Sequence, residues 1–264
     1  MAAFVLSSGV RLRIGCDDSS CGLYRTSLWF GGSVVGRRVR ADGGKVSSGK
    51  RQISMNAKTA LVAIGNGSEE IEATTIADTL VRAGVKVTIA SVEDELVCTM
   101  SRGVKIMADR MIGDCEDIDY DLIALPGGMP GAERLRDSEA LKNMLMKQEA
   151  GKKMIGAICA APAVVLAHHG LLEERNATCY PSPAFMEKLP KNIDDDEVPV
   201  VYDGNVMTSR GPGTALVFSL ALVEKLVGDV QAEQLASLML LDIREDWTTE
   251  FTSEAAPEAA TIEQ

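Results

Sequence analysis

The segment KTALVAIGNGSEEIEATTIADTLVRAGVKVTIAS, Lys58 to Ser91, decides the fold class. Lys58 to Gly65 is an apolar run of the length and kind that a fully buried strand shows. From Ser68 to Gly84, Ile71, Ile76, Leu80 and Val81 recur at helical spacing, with Ser68 standing where an N-cap belongs and Gly84 where a helix stops. Val85 to Ser91 returns to a strand pattern. Strand, helix and strand in so short a span imply a crossover connection, and therefore a parallel sheet.

The same alternation continues downstream. Asp121 to Pro126 reads as a strand followed by a helix from about Ala132 to Glu149, and Lys153 to Cys159 as a strand followed by a helix to His168. Asn205 to Arg210 reads as another strand, followed by a helix from Thr214 to Val227. The polar stretch between Ser91 and Tyr120 has room for a small β-hairpin. Together these give an α/β fold, a doubly wound and mostly parallel sheet between two layers of helices.

Composition limits what surrounds this core. With 46% apolar and 25% charged residues among 264, the chain is ordinary in globular terms. Residues 1–54 hold nine Lys and Arg against three acids, a charge of +6, so the overall −11 leaves −17 for residues 55–264. Such an acidic body repels phosphate backbones and excludes a broad nucleic-acid surface. Residues 1–54, rich in Arg, Ser and Gly, have the composition of an organelle transit peptide or of a disordered extension, with Met55 as a possible alternative start. These readings stay open, and with them cytoplasmic against organellar residence. The longest apolar run, Met154 to Ala167, is fourteen residues, short of the roughly 20 that span a bilayer. Residues 243–264 hold six acids against one base and read as a disordered tail. The domain is thus expected over residues 55–242.

In an open doubly wound sheet, chemistry gathers beyond the carboxyl ends of the strands. The first strand ends in GNGSEEIE, with Glu69, Glu70 and Glu72; the Asp121 strand ends in LPGGMPG, with Gly127 and Gly128. The Lys153 strand ends at Cys159-Ala-Ala-Pro, and the Asn205 strand at SRGPGT, with Arg210. A thiol where a strand hands over to a helix is a candidate nucleophile, since the helix dipole favours thiolate and a tight turn lifts the side chain clear. Equally, Cys159 is of the residue type most often packed in cores. On the first reading the amides of Ala160 and Gly128 are placed to donate to an oxyanion.

The base for such a thiol is not histidine. His168 and His169 follow nine and ten residues along the same expected helix, about 13 to 15 Å from its start, and the chain has no others. A Cys-His protease mechanism is disfavoured on that ground. Six cysteines, at 16, 21, 98, 115, 159 and 179, show no C-x-x-C pair and no metal-like spacing, so with only two histidines no metal site is expected, and a reducing compartment is. The remaining partner is a carboxylate. Glu69 and Glu72 share a helix face while Glu70 points elsewhere, and an acid buried beside sulfur has its pKa raised. Alternatively these acids merely complement the helix dipole.

The set GSEEIE at Gly67 to Glu72, LPGG at Leu125 to Gly128, AICAAP at Ala157 to Pro162 and TSRGPGT at Thr208 to Thr214 resembles the parkinsonism-associated deglycase (DJ-one) family of the ThiJ/PfpI superfamily. The likeness covers about residues 56–241 with motif order intact. It implies a flavodoxin-like sandwich akin to the class I glutamine amidotransferases, assembled as a homodimer. It also implies Cys159 as an easily oxidised nucleophile, Glu72 as its protonated partner, and the Gly127, Gly128 and Ala160 backbone lining the site. Arg82, Arg102 and Arg210 are implied near the pocket or dimer interface. Tyr180 stands before Pro181, where some members carry histidine, and Ala160 stands where protease-like relatives carry histidine. The activity implied is cofactor-independent, a glyoxalase or deglycase acting on methylglyoxal, glyoxal or their adducts. The alternative is an oxidation sensor that works as a chaperone or signalling partner. Cys179 has no assigned role.

Overall fold

The computed structural model describes residues 57–195, 197–241 and 249–251. The expectation for residues 1–54, with Cys16 and Cys21, lies outside the described residues, as does most of the acidic tail. The elements in chain order are β1 (Thr59–Ile64), α1 (Glu70–Arg82), β2 (Lys86–Ser91), β3 (Val97–Thr99), β4 (Lys105–Met107), β5 (Arg110–Met111), β6 (Leu122–Leu125), α2 (Gly131–Asp137), α3 (Glu139–Ala150) and β7 (Met154–Ile158). A π-helical segment, Pro162–Leu166, precedes β8 (Asn176–Ala177), α4 (Pro183–Met186), β9 (Lys191–Asn192), β10 (Val200–Asp203), β11 (Val206–Ser209), α5 (Ala215–Val227), α6 (Asp229–Leu238) and β12 (Thr249–Phe251).

One eight-stranded sheet runs β5-β2-β1-β6-β7-β11-β10-β12, parallel at every pairing except β10 with β11. Its five central strands, β2-β1-β6-β7-β11, follow the flavodoxin-like order 2-1-3-4-5, and the direction of winding reverses between β1 and β6. Burial on both faces explains why these strands are continuous apolar runs. Ala60, Val62 and Ile64 of β1 pack under α1, α5 and α6, with Ile76, Leu80 and Phe218. Leu61 and Ala63 pack on the opposite face with Leu135, Leu141, Leu145 and Val165. Each fully buried Leu, Ile or Phe contributes about 1.5–3 kcal/mol. Gly156 in β7 lets α5 settle directly on the sheet, because a Cβ there would lie 3.1 Å from both Phe218 and Leu222.

The expected hairpin is β3 with β4, antiparallel, and Gly84 follows the end of α1 at φ 80°. Three expectations need correction, and one helix was not expected. The helix expected from Ala132 to Glu149 is two helices, because Ser138 is extended and caps α3 by accepting the Leu141 amide at 3.3 Å. The helix expected from Cys159 to His168 is present but irregularly wound: its centre, Pro162–Leu166, is π-helical, with Ala167 N–H reaching the Pro162 carbonyl, while Val164 and His169 N–H bond the Ala160 and Val165 carbonyls. Within the expected disordered tail, Thr249–Phe251 pairs in parallel with β10. Helix α6, which the apolar pattern did not announce, packs along α5 through Ala232, Leu235 and Ala236. No helix among the described residues is long and apolar enough to cross a membrane.

Candidate active site

The carboxyl ends of β1, β6, β7 and β11 meet beside the winding reversal, and each contributes one loop. After β1 the chain makes a tight turn in which Ser68 N–H bonds the Gly65 carbonyl and Ser68 Oγ accepts the Gly65 amide, both at 3.0 Å. Ser68 is therefore spent on the turn and is not the N-cap. Glu69 takes that place: its Oε2 accepts the Glu72 amide at 2.8 Å. Glu70 turns outward from this pair, as its register requires. Its carboxylate accepts Ser101 Oγ and the Arg102 amide, each at 2.8 Å, and so fastens the β3–β4 turn to the start of α1. Burial opposes ionisation of Glu70, but the donors from Ser101 and Arg102 hold its pKa below the usual value.

Glu72 is fully buried. Its Oε2 accepts the Gly127 amide at 2.7 Å, while Oε1 has no well-formed hydrogen bond among the described residues. The Cys159 thiol lies close enough to couple with this carboxyl both as a hydrogen-bonding and as a charged neighbour. The approach depends on the two glycines after β6. A Cβ on Gly127 would stand 2.6 Å from Cys159 Cβ and 2.8 Å from the Ala160 nitrogen, and Gly128, at φ 83°, sits against the Gly67 carbonyl and the Glu69 amide.

Cys159 itself is left-handed, at φ 64°, a conformation costly for a residue with a Cβ. It is held there at both ends: its N–H donates to the Ser209 carbonyl at the end of β11, and its carbonyl accepts the Tyr180 amide at 2.9 Å. The side chain stands at 9% exposure, with the amides of Gly128 and Ala160 directed at the sulfur. Strand, strained turn and helical segment thus present the thiol as a nucleophile elbow does.

The helix-dipole expectation of a lowered thiol pKa fails. Burial, and then the charge of Glu72, push the Cys159 thiol up to about 12, against the pull of the Gly128 and Ala160 amides. Glu72 is raised from the usual 4.5 to about 7, chiefly by burial, with the charge of Glu69 adding to it and the Gly127 amide and Cys159 opposing. The two groups titrate as a pair, doubly protonated at low pH and sharing one proton above the first step. In the shared form, two amides favour charge on sulfur and one favours it on the carboxyl.

The other candidates are distributed unevenly. Tyr180 joins the site through its amide, while its ring, 44% exposed, lies over Gly211. Arg210 follows β11 at the same edge, is buried, and donates to the Asp195 carbonyl. Arg102 has its backbone in the Glu70 clamp and its side chain exposed. Arg82 is not at the site: it lies ten residues beyond Glu72 in α1, about 15 Å along the axis, in an exposed ion pair with Asp78. His169 bonds the Arg136 carbonyl and lines no part of the site. Cys179, buried, has its thiol pushed up to about 11 by burial. Among the described residues, no cluster of three or more His, Cys, Asp and Glu is arranged to hold a metal. Glu69 as cap and the Gly127 amide as partner of Glu72 were missed by sequence reasoning. An acid immediately before an apolar-periodic run was the available signal for the first.

The comparison with family models closes the question of kinship, with a match to the DJ-1/PfpI family over residues 58–225. The chain belongs to the DJ-1/PfpI family. It is 43% identical over 185 residues, 70% of its length, to Protein DJ-1 homolog A of Arabidopsis thaliana, of which it covers 47%. The chain spans about half the length of the Arabidopsis relatives it matches. It is 36% identical over 187 residues, again 70% of the chain, to a Caenorhabditis elegans protein named glutathione-independent glyoxalase DJR-1.2, of which it covers 97%. Among solved structures, oxidized Toxoplasma gondii DJ-1 superposes with a TM-score of 0.68 at 46% identity, over 71% of this chain and all of that one. The flavodoxin-like architecture is thus shared with other DJ-1/PfpI members.

Proposed function

We propose that this DJ-1/PfpI chain is a cofactor-independent glyoxalase or deglycase acting on small dicarbonyls or their adducts, with Cys159 as nucleophile and Glu72 as acid/base. The observation that carries the reading is the pair itself. A thiol on a strained turn, with two amides that favour its charge, neighbours a buried carboxyl whose pKa of about 7 suits proton transfer near neutrality. The glyoxalase name of the Caenorhabditis elegans relative supports the same class.

With methylglyoxal the sequence balances without an external oxidant. Glu72 accepts the thiol proton as the Cys159 sulfur bonds the aldehyde carbon, and the proton passes to the alkoxide, which the Gly128 and Ala160 amides hold as it forms. The Glu72 carboxylate then removes the hydrogen from that carbon and returns it to the neighbouring carbonyl carbon, while the hydroxyl proton of the first carbon passes to the neighbouring oxygen. This internal redox step leaves a hydroxyl beside a thioester. Water cleaves the thioester to lactate and regenerates the thiol.

Lactate release from methylglyoxal by the wild-type chain, Cys159→Ser and Glu72→Gln tests the scheme. Cys159→Ser falls to background and Glu72→Gln loses about 10²–10⁴-fold; full turnover by Cys159→Ser overturns it. The homodimer belongs to the same proposal, with exposed Ile71 and Val81 on α1 and Met107 on β4 as apolar residues available to a second copy. Sedimentation at monomer mass would remove it.

One observation favours a second reading, in which Cys159 senses peroxide. The amides that await an alkoxide would equally hold the oxygens of a sulfinate, and the Toxoplasma gondii relative is seen oxidized. A gain of two oxygens on Cys159 at low peroxide, with negligible dicarbonyl turnover, is its signature.

A further inference from the structure

Three hydrogen bonds close a circuit around the acid/base side chain, and none of them involves the nucleophile. Glu69 N–H donates to the Gly127 carbonyl at 2.9 Å, Gly127 N–H donates to Glu72 Oε2 at 2.7 Å, and Glu72 N–H donates to Glu69 Oε2 at 2.8 Å. Residue 69 therefore enters twice, once through its backbone and once through a carboxylate that is itself buried at 7% exposure. We infer that Glu69 is the positioning residue of the site: it locks the helix start and the Gly127 peptide together, so that Glu72 Oε2 is consumed by Gly127 and Oε1 alone is left for the sulfur.

Capping alone does not call for a glutamate. Ser, Thr, Asp and Asn are the ordinary caps, since their shorter side chains reach the N2 or N3 amide at less entropic cost. Glutamate at this place adds a negative charge one helical turn from Glu72, buried away from the solvent and salt that would otherwise screen it. The charged neighbours of Glu72 are accounted for on each side. Glu69 comes from its own turn and Cys159 from the turn after β7. The Glu70 carboxylate is committed to Ser101 and Arg102 of the hairpin, and the buried residues of α5, which packs along α1, carry no charge. Gly128 leaves no room for slack, because a Cβ there would lie 2.6 Å from the Glu69 amide. Glu69 touches neither sulfur nor substrate; it acts through Glu72.

This inference rests on the assignment of Glu72 as acid/base, but its test does not depend on turnover. Carboxamidomethylation of Cys159 by iodoacetamide, followed by mass spectrometry from pH 5 to 10, reads the first proton lost by the pair. The variants are Glu69→Ser, which keeps a cap and removes the charge, Glu69→Ala, which removes both, and each of these in a Glu72→Gln background. Expected for Glu69→Ser is a thermal midpoint close to that of the wild-type chain and an alkylation step displaced downward by on the order of one pH unit. Expected for Glu69→Ala is the same direction of displacement with a lower thermal midpoint. In the Glu72→Gln background neither change at residue 69 moves the profile.

A Glu69→Ser profile that superimposes on wild type overturns the inference, as does a displacement that persists without Glu72. A fall in thermal midpoint with no movement of the alkylation step reduces Glu69 to a structural cap and also overturns it. Absence of dicarbonyl turnover in the wild-type chain, with the alkylation step still displaced by Glu69→Ser, would remove the enzymatic reading and leave the positioning role intact.

Discussion

Glu72→Gln should make the protein more stable at pH 8 while changing it little at pH 5. The carboxyl is fully buried, and its pKa rises from 4.5 to about 7 on folding, chiefly by burial. Between those two values the unfolded chain has released this proton and the native chain still holds it. The native state therefore binds more protons, and stability falls as pH rises through the window. The whole displacement corresponds to about 3 kcal/mol, present in full below pH 4.5 and lost above pH 7. Glutamine retains an oxygen for the Gly127 amide and carries no charge, so it removes this pH dependence without opening a cavity.

His169 works in the same range with the opposite sign, because burial holds its pKa below the usual imidazole value. The wild-type curve alone is thus a mixture, and the quantity to measure is the difference between variant and wild type. Urea unfolding at pH 5 and pH 8 should give a difference that grows by about 2.5 kcal/mol in favour of Glu72→Gln. In thermal scans this is roughly 5–10 °C for a domain of this size. Parallel wild-type and variant curves across that range would show that the native carboxyl ionises as it does in water, and the reasoning about the buried pair would fall with it.

Two further outcomes follow from the geometry. Gly127→Ala places a Cβ 2.6 Å from Cys159 Cβ and 2.8 Å from the Ala160 nitrogen, so it should cost about 1–3 kcal/mol in urea unfolding and, on the proposed function, about 10²-fold in kcat/KM. Retention of both would mean that the turn after β7 is looser than described. Arg82→Ala removes an ion pair that is half exposed on both sides; stability should change by less than about 1 kcal/mol, and dicarbonyl kcat/KM should be unaltered, whereas a tenfold loss would bring that arginine back to the site.

The sheet was legible because its strands are buried on both faces. Runs such as LVAI, LIAL and MIGAI cannot be surface elements, and the helical spacing between them fixed the crossovers and the edge at which the loops meet. What stayed hidden was decided by main-chain geometry. Nothing in the composition around Ser138 distinguishes one helix from two until its extended backbone and cap are seen. The π winding of Pro162–Leu166 has no apolar period of its own to announce it, and β12 forms only because β10 offers an edge distant in sequence. In the site, residue identity pointed to Cys159 and to Glu69 or Glu72, and the family resemblance chose Glu72. The raised carboxyl follows the expectation for a buried acid, whereas the thiol runs against its own because burial and the charge of Glu72 outweigh a helix end. Glu69 and Ser68 exchanged roles because the turn after β1 claims the serine hydroxyl first.

The contacts that hold Cys159 and Glu72 in place come largely from peptide groups: the amides of Gly127, Gly128 and Ala160, the Ser209 carbonyl and the Tyr180 amide. Exchanging one side chain for another leaves most of these atoms where they are. Mutational drift in such a molecule can therefore change exposed neighbours such as Tyr180 long before it displaces the peptide groups that hold the pair. On the proposed function, a saturation library should accordingly show tolerance at Tyr180 and abrupt silence at Gly127 and Gly128.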